Sequence, residues 1–349
     1  MRNNLKLHEF DEDLVDLNNM TILITGGTGS FGRQYIRTII GRWSPKKLIV
    51  FSRDELKQYE LQTELKATLA PEKFARMRFF IGDVRDGPRL RMAMRGVDFV
   101  VHAAALNHVP SAEYNPMECI KTNLLGAENV IEAAIAERVH RVIALSTDKA
   151  CNPVNLYGAT KLASDKTFVA ANNLVGTRPT RFAVVRYGNV TGSRGSVIPF
   201  FRALAAKKQP LPITDPRMTR FWITLQQGVN FVLSSFSIMR GGEVFVPKIP
   251  STKIVDLAAI LGPELPTRIV GIRPGEKLHE MMISEDDAHH TVELADRYVI
   301  EPAFAEYPRK SFRGDLGGAV PDRFSYSSDK NSVWLDKDSM AELLRQAGV

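Results

Sequence analysis

The hydrophobic pattern from residue 20 onward alternates short apolar runs with longer stretches in which apolar residues recur every three or four positions. Helical spacing predicts helices from a glycine turn to about Ile40 and at 54–69, 116–138 and 156–173. The β-branched and aromatic runs predict buried strands at TILIT (21–25), KLIVFS (47–52), MRFFIGD (77–83), VDFVVHAAA (97–105), RVIALST (141–147) and RFAVVRYGNV (181–190). Strands and helices in this alternation predict an α/β fold with a doubly wound parallel sheet of the Rossmann type.

The alternation breaks after residue 190, where proline, glycine and polar residues become frequent. We interpret 20–190 as a dinucleotide-binding Rossmann domain. The segment 224–250 is expected to rejoin it, with the apolar run GEVFVPK (242–248) as one more strand of the sheet. The remaining segments, 191–223 and 251–349, are expected to form a smaller substrate-binding lobe.

The composition is that of a soluble globular enzyme, because the 349 residues are 44% hydrophobic and 24% charged. There is no run of about 18 apolar residues that would predict a membrane span, and the N-terminus lacks the apolar segment of a secretory signal. Cys119 and Cys151 are the only cysteines. They have neither a disulfide framework nor metal-type spacing, so we expect reduced thiols in the cytoplasm.

Charge is distributed unevenly along the chain. Residues 1–19 contain two basic and five acidic residues, so this N-terminal extension carries −3 of a total of +7 and leaves +10 for the rest. Its polar composition predicts weak order or docking on a neighbour. The basic residues of the body form no continuous tract, which favours small phosphorylated ligands over nucleic acid or a membrane as partners.

A glycine-rich turn, TGGTGSFG (25–32), follows the first predicted strand and opens the first helix. Gly26, Gly29 and Gly32 allow the backbone to approach a pyrophosphate at a helix N-terminus. Three glycines alone are a weak signal, but their position between a strand and a helix makes a dinucleotide site specific. Thr28, Ser30 and Phe31 belong to the same turn and are predicted to contact the cofactor.

The end of the second strand, FSRDELK (51–57), favours NADP over NAD. Arg53 after Ser52 suits a ribose 2′-phosphate, and Lys57 lies one helical turn on. Asp54 leaves the choice open, since it either contacts the ribose or caps the helix. The rest of the predicted cofactor site follows the third and fourth strands and comprises Asp83, at an adenine amino group, Val84, Ala103, Ala104 and Ala105.

Tyr157 and Lys161 share a helix face at Y-x-x-x-K spacing. A lysine there can hold a nicotinamide ribose and lower the pKa of the tyrosine, whose phenolate then removes a proton from a sugar hydroxyl as hydride leaves the carbon. Thr147, at the end of the fifth strand, is placed to bond the same hydroxyl. The adjacent Asp148 and Lys149 are not needed by a simple dehydrogenase. They are either further catalytic groups or a surface ion pair after a strand.

Together, TGGTGSFG, STDKA, YGATK, RYGNV-x-GSRGSV, DPRMTRFW and RPGEKLHE resemble the extended short-chain dehydrogenase/reductase superfamily. Within it they resemble the soluble, inverting UDP-N-acetylglucosamine 4,6-dehydratases of pseudaminic acid synthesis. The resemblance covers residue 20 to about 345, including FSYSSDKNSVWL (324–335). It implies a homo-oligomer with tightly bound NADP that converts UDP-GlcNAc to UDP-2-acetamido-2,6-dideoxy-β-L-arabino-hex-4-ulose.

This resemblance assigns roles to the acid–amine pair. Oxidation at C4 makes the C5 proton acidic, water leaves across C5–C6, and the stored hydride returns to C6. Asp148 fits the acid that protonates the leaving hydroxyl, and Lys149 fits the group that handles the C5 proton. Dehydratases that retain C5 configuration carry Asp–Glu here, so lysine favours inversion. Because an ordinary lysine pKa of about 10.4 makes a poor base, Lys149 either has its pKa lowered by Lys161 and the oxidised nicotinamide, or stabilises the enolate electrostatically.

The same resemblance places a substrate site after residue 188. Asn189 to Val197 match a segment that holds diphosphate and uridine, in which Arg194 either contacts phosphate or lies in an exposed turn. His108 is retained, whereas Asn107 stands where relatives usually have lysine. Thr214, Arg217, Arg220, Arg273 and Glu276 are further predicted substrate-binding residues. Arg220 is the better phosphate candidate, unless it merely lies beside packed Phe221 and Trp222.

Three readings of the sequence remain distinct. An NADP-dependent dehydratase uses every motif, and a UDP-sugar C4 epimerase uses all but the Asp148–Lys149 pair. A non-catalytic NADP-binding scaffold would not need Thr147, Tyr157 and Lys161 together. No metal is expected, because His279, His289 and His290 lack zinc-type spacing.

Overall fold

The computed structural model describes residues 7–193 and 196–348, and most of its strands belong to one central sheet. The strands in chain order are β1 (Thr21–Thr25), β2 (Lys47–Ser52), β3 (Met77–Ile81), β4 (Phe99–His102), β5 (Arg141–Thr147), β6 (Arg181–Tyr187), β7 (Asn189–Val190), β8 (Leu211–Ile213), β9 (Thr219–Ile223), β10 (Val244–Pro247), β11 (Ser251–Lys253), β12 (Thr267–Ile269), β13 (Met281–Ile283), β14 (Thr291–Glu293), β15 (Arg297–Ile300), β16 (Gly318–Ala319) and β17 (Tyr326–Ser327).

Helices connect these strands and cover the sheet. In chain order they are α1 (Ser30–Arg42), α2 (Glu55–Thr68), α3 (Pro71–Phe74), α4 (Gly87–Ala93), α5 (Val109–Tyr114), α6 (Pro116–Ile120), α7 (Gly126–Ala136), α8 (Leu156–Ala170), α9 (Val197–Ala206), α10 (Leu225–Ile238), α11 (Ile254–Leu261) and α12 (Lys337–Gln346). Within the described ranges, no helix is both long and apolar enough to span a bilayer.

The central sheet has the order β16-β14-β15-β10-β6-β5-β4-β1-β2-β3. From β10 to β3 all neighbours are parallel, while β15, β14 and β16 add an antiparallel edge. The predicted doubly wound α/β fold is confirmed. β1 is buried along its whole length between β2 and β4, as expected of an apolar strand covered by helices on both faces.

Two predicted elements differ in detail. The helix predicted at 116–138 contains a π-helical turn at Lys121–Leu125 between α6 and α7. The side-chain amide of Asn123, in this turn, donates to Leu106 O at 3.0 Å and Thr160 Oγ1 at 3.1 Å. The run 181–190 divides at Gly188, where an added Cβ would lie 2.6 Å from Phe221 Cβ. Past this close approach the chain leaves the central sheet, and β7 pairs with β9.

A second apolar cluster lies apart from the main core. It is built by α9, β8, α11 and α12 around side chains such as Phe201, Leu257 and Leu343. The sequence assigned all of 251–349 to this smaller lobe, whereas β14, β15 and β16 extend the central sheet. β10 lies beside β6 in parallel. The division of the chain into two lobes remains our proposal.

The described part of the N-terminal extension docks on α10. Phe10 is buried and packs edge-on against Phe231, with ring centroids 4.9 Å apart, and Leu17 is buried completely. Asn230 Nδ2 donates to Glu9 O at 2.9 Å. Of the two behaviours expected for 1–19, docking therefore applies to the described residues from 7 onward.

Candidate active site

A cavity of about 670 Å³ opens at the carboxyl ends of the parallel strands. This is where ligands bind in doubly wound sheets. Every residue predicted to contact the cofactor lines it, namely Gly26, Thr28, Gly29, Ser30, Phe31, Gly32, Ser52, Arg53, Lys57, Asp83, Val84, Ala103, Ala104, Ala105, Tyr157 and Lys161. The structure thus brings together residues from a long stretch of sequence on one concave surface.

The glycine turn has the backbone geometry of a pyrophosphate cradle. Gly26 has φ +66°, and a Cβ there would lie 2.9 Å from Ala103 C. A Cβ on Gly32 would lie 2.5 Å from Gly27 Cα. Side chains at these two positions would therefore overlap backbone atoms of the segment after β4 and of the turn itself, so the residues present fit a dinucleotide.

A buried hydroxyl fixes the opposite wall of the cradle. Thr25 Oγ1 accepts from the backbone N–H groups of Ala103 at 3.1 Å and Ala104 at 3.2 Å, and bonds His102 Nδ1 at 2.8 Å. Burial and the Lys161 charge lower the pKa of His102 to about 3. The imidazole is consequently neutral and serves as a fixed polar support. The sequence did not indicate this role for Thr25 or His102, although Thr25 is the last residue of β1 and His102 is the last residue of β4.

The ends of β2 and β3 present charged side chains to the cavity. Asp54 caps α2 by accepting from Lys57 N at 2.9 Å, and it also pairs with Lys57 Nζ at 2.9 Å. This assigns Asp54 to the cap rather than to a ribose. Arg53 is 54% exposed and lies 3.8 Å from Asp83 Oδ2. Asp83 is held more closely by Arg85, at 2.8 Å.

Tyr157 and Lys161 both lie on α8, which begins where Asn155 Oδ1 accepts from Gly158 N at 2.7 Å. Burial raises the pKa of Tyr157 to about 12, opposed by the Lys149 charge and a hydrogen bond with Thr147. Lys161 Nζ donates to Leu145 O at 2.6 Å, and burial lowers its pKa. From the sequence, Lys161 is expected to lower the pKa of Tyr157. In the structure the charge of Lys149 lowers the pKa of Tyr157.

Asp148 and Lys149 form an ion pair beneath the cavity rather than on the protein surface. Asp148 Oδ1 accepts from Lys149 Nζ at 3.0 Å and from Thr147 Oγ1 at 2.9 Å. Lys149 and Thr147 line the cavity, whereas Asp148 is 1% exposed and lies behind them. Burial would lower the pKa of Lys149, but the carboxylates of Asp148 and Glu280 outweigh it and raise the pKa. The protein's own charges thus raise the pKa of Lys149, and the lowering expected from Lys161 together with an oxidised nicotinamide stays a prediction.

The predicted substrate-binding residues separate into three groups. His108 and Asn189 line the cavity. Arg220 is buried, and its Nη1 and Nη2 donate to the carbonyls of Thr219, Leu278 and Lys277. The structure thus places Arg220 inside the protein instead of at the cavity, because three carbonyls already occupy its guanidinium.

The other substrate candidates lie away from the cavity wall. Arg217 is 72% exposed and pairs with Asp215 at 2.7 Å, and Arg273 pairs with Glu276 at 3.9 Å. Thr214 Oγ1 contacts Met218 Sδ at 3.3 Å, and Val197 begins α9. Arg194 lies outside the described residues.

Several cavity residues were not predicted. Ser146, Tyr187 and Gly188 line it and belong to the quoted motifs STDKA and RYGNV, so their motifs were a usable signal. Asn107, noted only as a departure from relatives, lines it as well. Glu280 ends the motif RPGEKLHE, and its Oε1 lies 3.4 Å from Lys149 Nζ. Nothing in the spacing indicates that contact, because it joins residues far apart in sequence.

A doubly wound sheet that has its glycine turn after the first strand, and a tyrosine–lysine pair on the helix after the fifth, is the organisation of the extended short-chain dehydrogenase/reductase superfamily. Comparison with known proteins is more specific. The model of the family described as polysaccharide biosynthesis protein matches residues 22–302, and the chain belongs to this family.

Individual relatives span nearly the whole chain. It is 57% identical over 333 residues to the UDP-N-acetylglucosamine 4,6-dehydratase (inverting) of Campylobacter jejuni, covering 94% of this chain and 98% of that protein. It is 43% identical over 333 residues to the UDP-glucose 4-epimerase of Rickettsia canadensis, covering 93% and 95%. The X-ray structure of Pen from Bacillus thuringiensis superimposes with a TM-score of 0.85 at 34% identity, covering 96% and 99%.

Proposed function

We propose that this protein is a hydro-lyase that converts UDP-GlcNAc to UDP-2-acetamido-2,6-dideoxy-β-L-arabino-hex-4-ulose, with inversion at C5 and with NADP as cofactor. The observation that carries the proposal is the Asp148–Lys149 pair, 3.0 Å apart, at the cavity that also contains Tyr157. The name of the Campylobacter jejuni relative supports the same reaction. A product of this kind suits pseudaminic acid synthesis.

The chain's own residues bind the sugar and move protons. Thr147 holds the C4 hydroxyl, and Tyr157 removes its proton once the phenol has lost its own proton to solvent. NADP, when bound, would supply the hydride chemistry between C4 and C6. The turn from Gly26 to Gly32 would hold the pyrophosphate, and Lys161 the nicotinamide ribose. Lys149 then faces the C5 proton. Asp148 protonates the leaving C6 hydroxyl through the Thr147 hydroxyl, which contacts it and lines the cavity.

Asp148 and Lys149 share one proton, and its position decides whether the pair can act as acid and base. In the substrate-free site this proton stays on Lys149, because Asp148 and Glu280 favour the ammonium. Its transfer from Nζ to Oδ1, across 3.0 Å, produces a neutral amine and a carboxylic acid. These are the base and the acid that elimination requires. Elimination then restores the ammonium and the carboxylate.

Proton NMR of UDP-GlcNAc and protein in deuterated water tests the reaction. We expect a 4-keto-6-deoxy sugar with deuterium at C5 and L-arabino geometry. The D-xylo ketosugar as the sole initial product would contradict inversion, and no ketosugar at all would contradict the dehydratase. A Lys149→Ala variant that still exchanges the C5 proton at an undiminished rate would exclude Lys149 as the base.

A UDP-sugar C4 epimerase is the second candidate, because a relative 43% identical to this chain bears that name. An epimerase shares the need for Tyr157 and Lys161 but not for an acid and base at C5–C6. Formation of UDP-GalNAc without ketosugar in the same NMR experiment would support it. The buried acid–amine pair favours dehydration.

We infer NADP rather than NAD from Arg53 and Lys57, two cations at the cavity end where a ribose 2′-phosphate would bind. Asp54, engaged as a helix cap, does not compete for the ribose. Arg53→Ala is expected to weaken NADP binding at least tenfold and to leave NAD binding within about twofold. Isothermal titration with both dinucleotides measures this. The exposed Arg42→Ala, at the far end of α1, is the control, and equal losses for both dinucleotides would contradict the assignment.

A further inference from the structure

Glu280 is a buried carboxylate outside the predicted catalytic set. It directly precedes β13, is 2% exposed and does not line the cavity. Its Oε1 lies 3.4 Å from Lys149 Nζ and 3.7 Å from Arg220 Nε, while Oε2 has no hydrogen-bond partner among the described residues. Because burying an ionised carboxylate is costly, its presence behind a predicted catalytic amine requires an explanation.

Hydrogen bonds to Ser328 hold the backbone of Glu280 in place. Glu280 N donates to Ser328 Oγ at 2.9 Å, and Ser328 N donates to Glu280 O at 2.8 Å. Arg220 is equally fixed, since its guanidinium donates to Thr219 O at 2.6 Å and to Lys277 O at 3.0 Å. The Arg220 charge cannot move away from Lys149 without breaking these carbonyl contacts, and the Glu280 carboxylate lies between the two cations.

Among the described residues, charged or titratable groups act on the Lys149 amine from four sides. Asp148 approaches from the end of β5, Glu280 from the residue before β13, Arg220 from β9 and Tyr157 from α8. Without Glu280, the positive charges of Arg220 and Lys149 would face each other, and the Asp148 carboxylate would have to neutralise both. Glu280 therefore neutralises Arg220 and attracts the amine.

We propose that Glu280, held by Arg220, is a positioning residue that keeps the Lys149 amine at the cavity wall and sets the pH range in which this amine exchanges its proton. The catalytic consequence rests on the proposed function, since Lys149 must release its proton before it can accept one from C5. The effect of Glu280 on the charge state of Lys149 does not depend on the proposed function.

Titration of the lysine by NMR tests the electrostatic part without any turnover. The protein is labelled with ¹³C at lysine Cε, and the Lys149 signal is assigned by its loss in Lys149→Met. In the wild type we expect the amine to remain protonated beyond the ordinary lysine midpoint of about 10.4. In Glu280→Gln the midpoint should fall by at least about one pH unit, because an opposite charge within a few ångströms shifts a pKa by 1–3 units.

Two variants serve as comparisons. Glu285→Gln removes an exposed carboxylate from the same segment and should leave the Lys149 midpoint at its wild-type value. Glu280→Asp keeps the charge at a greater distance, so its midpoint should lie between wild type and Glu280→Gln. Glu280→Asp also supplies the measurement if Glu280→Gln does not fold. A Lys149 midpoint in the Glu280 variants equal to that of Glu285→Gln would overturn the proposal.

Turnover separates this inference from the proposed function. In Glu280→Gln the pH dependence of C5 proton exchange should move to lower pH by the same amount as the Lys149 midpoint, with KM for the sugar nucleotide within about twofold. A purely structural role would change stability and KM and leave the pH profile in place. If the wild type forms no ketosugar, the proposed function fails while the titration still decides the role of Glu280. If the wild type turns over and the midpoint is unmoved, only this inference fails.

Discussion

Tyr157 shows how a single side chain depends on the environment supplied by the fold. Its phenol is buried, and burial is the largest influence that raises its pKa to about 12. The substrate-free protein therefore holds a protonated phenol at neutral pH. The spacing Y-x-x-x-K predicted the residue, but the identity of the neighbouring cation follows from packing between β5 and α8.

Tyr157→Phe is expected to reduce ketosugar formation by about 10² to 10⁴-fold, the usual contribution of a general base. It should leave the melting temperature close to that of the wild type, because the ring remains and only the hydroxyl is lost. Ketosugar formation is followed by NMR and unfolding by calorimetry. Tyr59→Phe, at a side chain that is 67% exposed, is the control. A Tyr157→Phe protein of wild-type activity would remove the phenol from the mechanism.

Arg220 and Glu280 are two charged residues whose surroundings the sequence did not predict. Arg220 was predicted to contact phosphate, yet the chain folds three carbonyls around its guanidinium. Glu280 was passed over although it lies in a quoted motif. Both errors have one cause: long-range contacts decide whether a charged side chain faces a ligand or another residue, and spacing along the chain does not encode them.

Helix α1 joins the glycine turn to the core, and its two glycines have different surroundings. A Cβ on Gly32 would lie 2.5 Å from Gly27 backbone atoms, whereas a Cβ on Gly41 meets nothing within 4 Å. The turn and the helix were predictable because strand, glycines and apolar spacing agree on them. The difference between Gly32 and Gly41 depends on tertiary contacts.

Gly32→Ala is expected to destabilise the protein by about 1–3 kcal/mol through overpacking and to weaken dinucleotide binding at least tenfold. Gly41→Ala, in the same helix, should stabilise it by about 0.5–1 kcal/mol, because alanine is favoured over glycine in a helix interior. Urea unfolding and isothermal titration measure the two effects. Equal behaviour of the two variants would contradict the packing argument.

At the scale of the whole molecule, the N-terminal extension is part of the main core. Phe10 packs on Phe231 of α10, and Leu17 is fully buried. The alternation of strands and helices predicted the doubly wound sheet, including the return of 242–248. For 1–19 the composition left weak order and docking open, because two buried side chains among polar residues give no periodic signal that decides between them.

Phe10→Ala is therefore expected to reduce the free energy of unfolding by about 3 kcal/mol, as for other buried phenylalanines. Phe304→Ala, at a side chain that is 84% exposed, should change it by no more than about 0.5 kcal/mol. Chemical denaturation provides both values. A Phe10→Ala protein as stable as Phe304→Ala would show that the extension contributes nothing to the core.

Buried tyrosines reduce the stability of the folded protein at alkaline pH. Burial raises the pKa values of Tyr35, Tyr157, Tyr187 and Tyr326 above the unfolded value of about 10. Between that value and the folded pKa values, the unfolded chain binds fewer protons than the folded one. Stability is thus complete below about pH 10 and decreases as pH rises through the folded pKa values.

Tyr35→Phe tests this in one residue. The Tyr35 hydroxyl is buried and has no hydrogen-bond partner among the described residues. Its removal should raise stability by about 1 kcal/mol at pH 7 and reduce the loss of stability above pH 10. Melting temperatures from pH 7 to 11 provide the measurement. An unchanged slope above pH 10 would show that Tyr35 does not contribute to the alkaline limit.

The side-chain amide of Asn155 links the start of α8, the helix that bears Tyr157, to the segment around Gly275. Asn155 Oδ1 accepts from Gly158 N at 2.7 Å, while its Nδ2 donates to Gly275 O at 2.8 Å. The segment around Gly275 and the first turn of the tyrosine-bearing helix thus share one side chain. Any ligand that orders this segment must stabilise the helix start by the same coupling free energy with which the helix start favours that ligand. Hydrogen exchange at Gly158 N, slowed by UDP in the wild type and not in Asn155→Asp, would report this reciprocity directly.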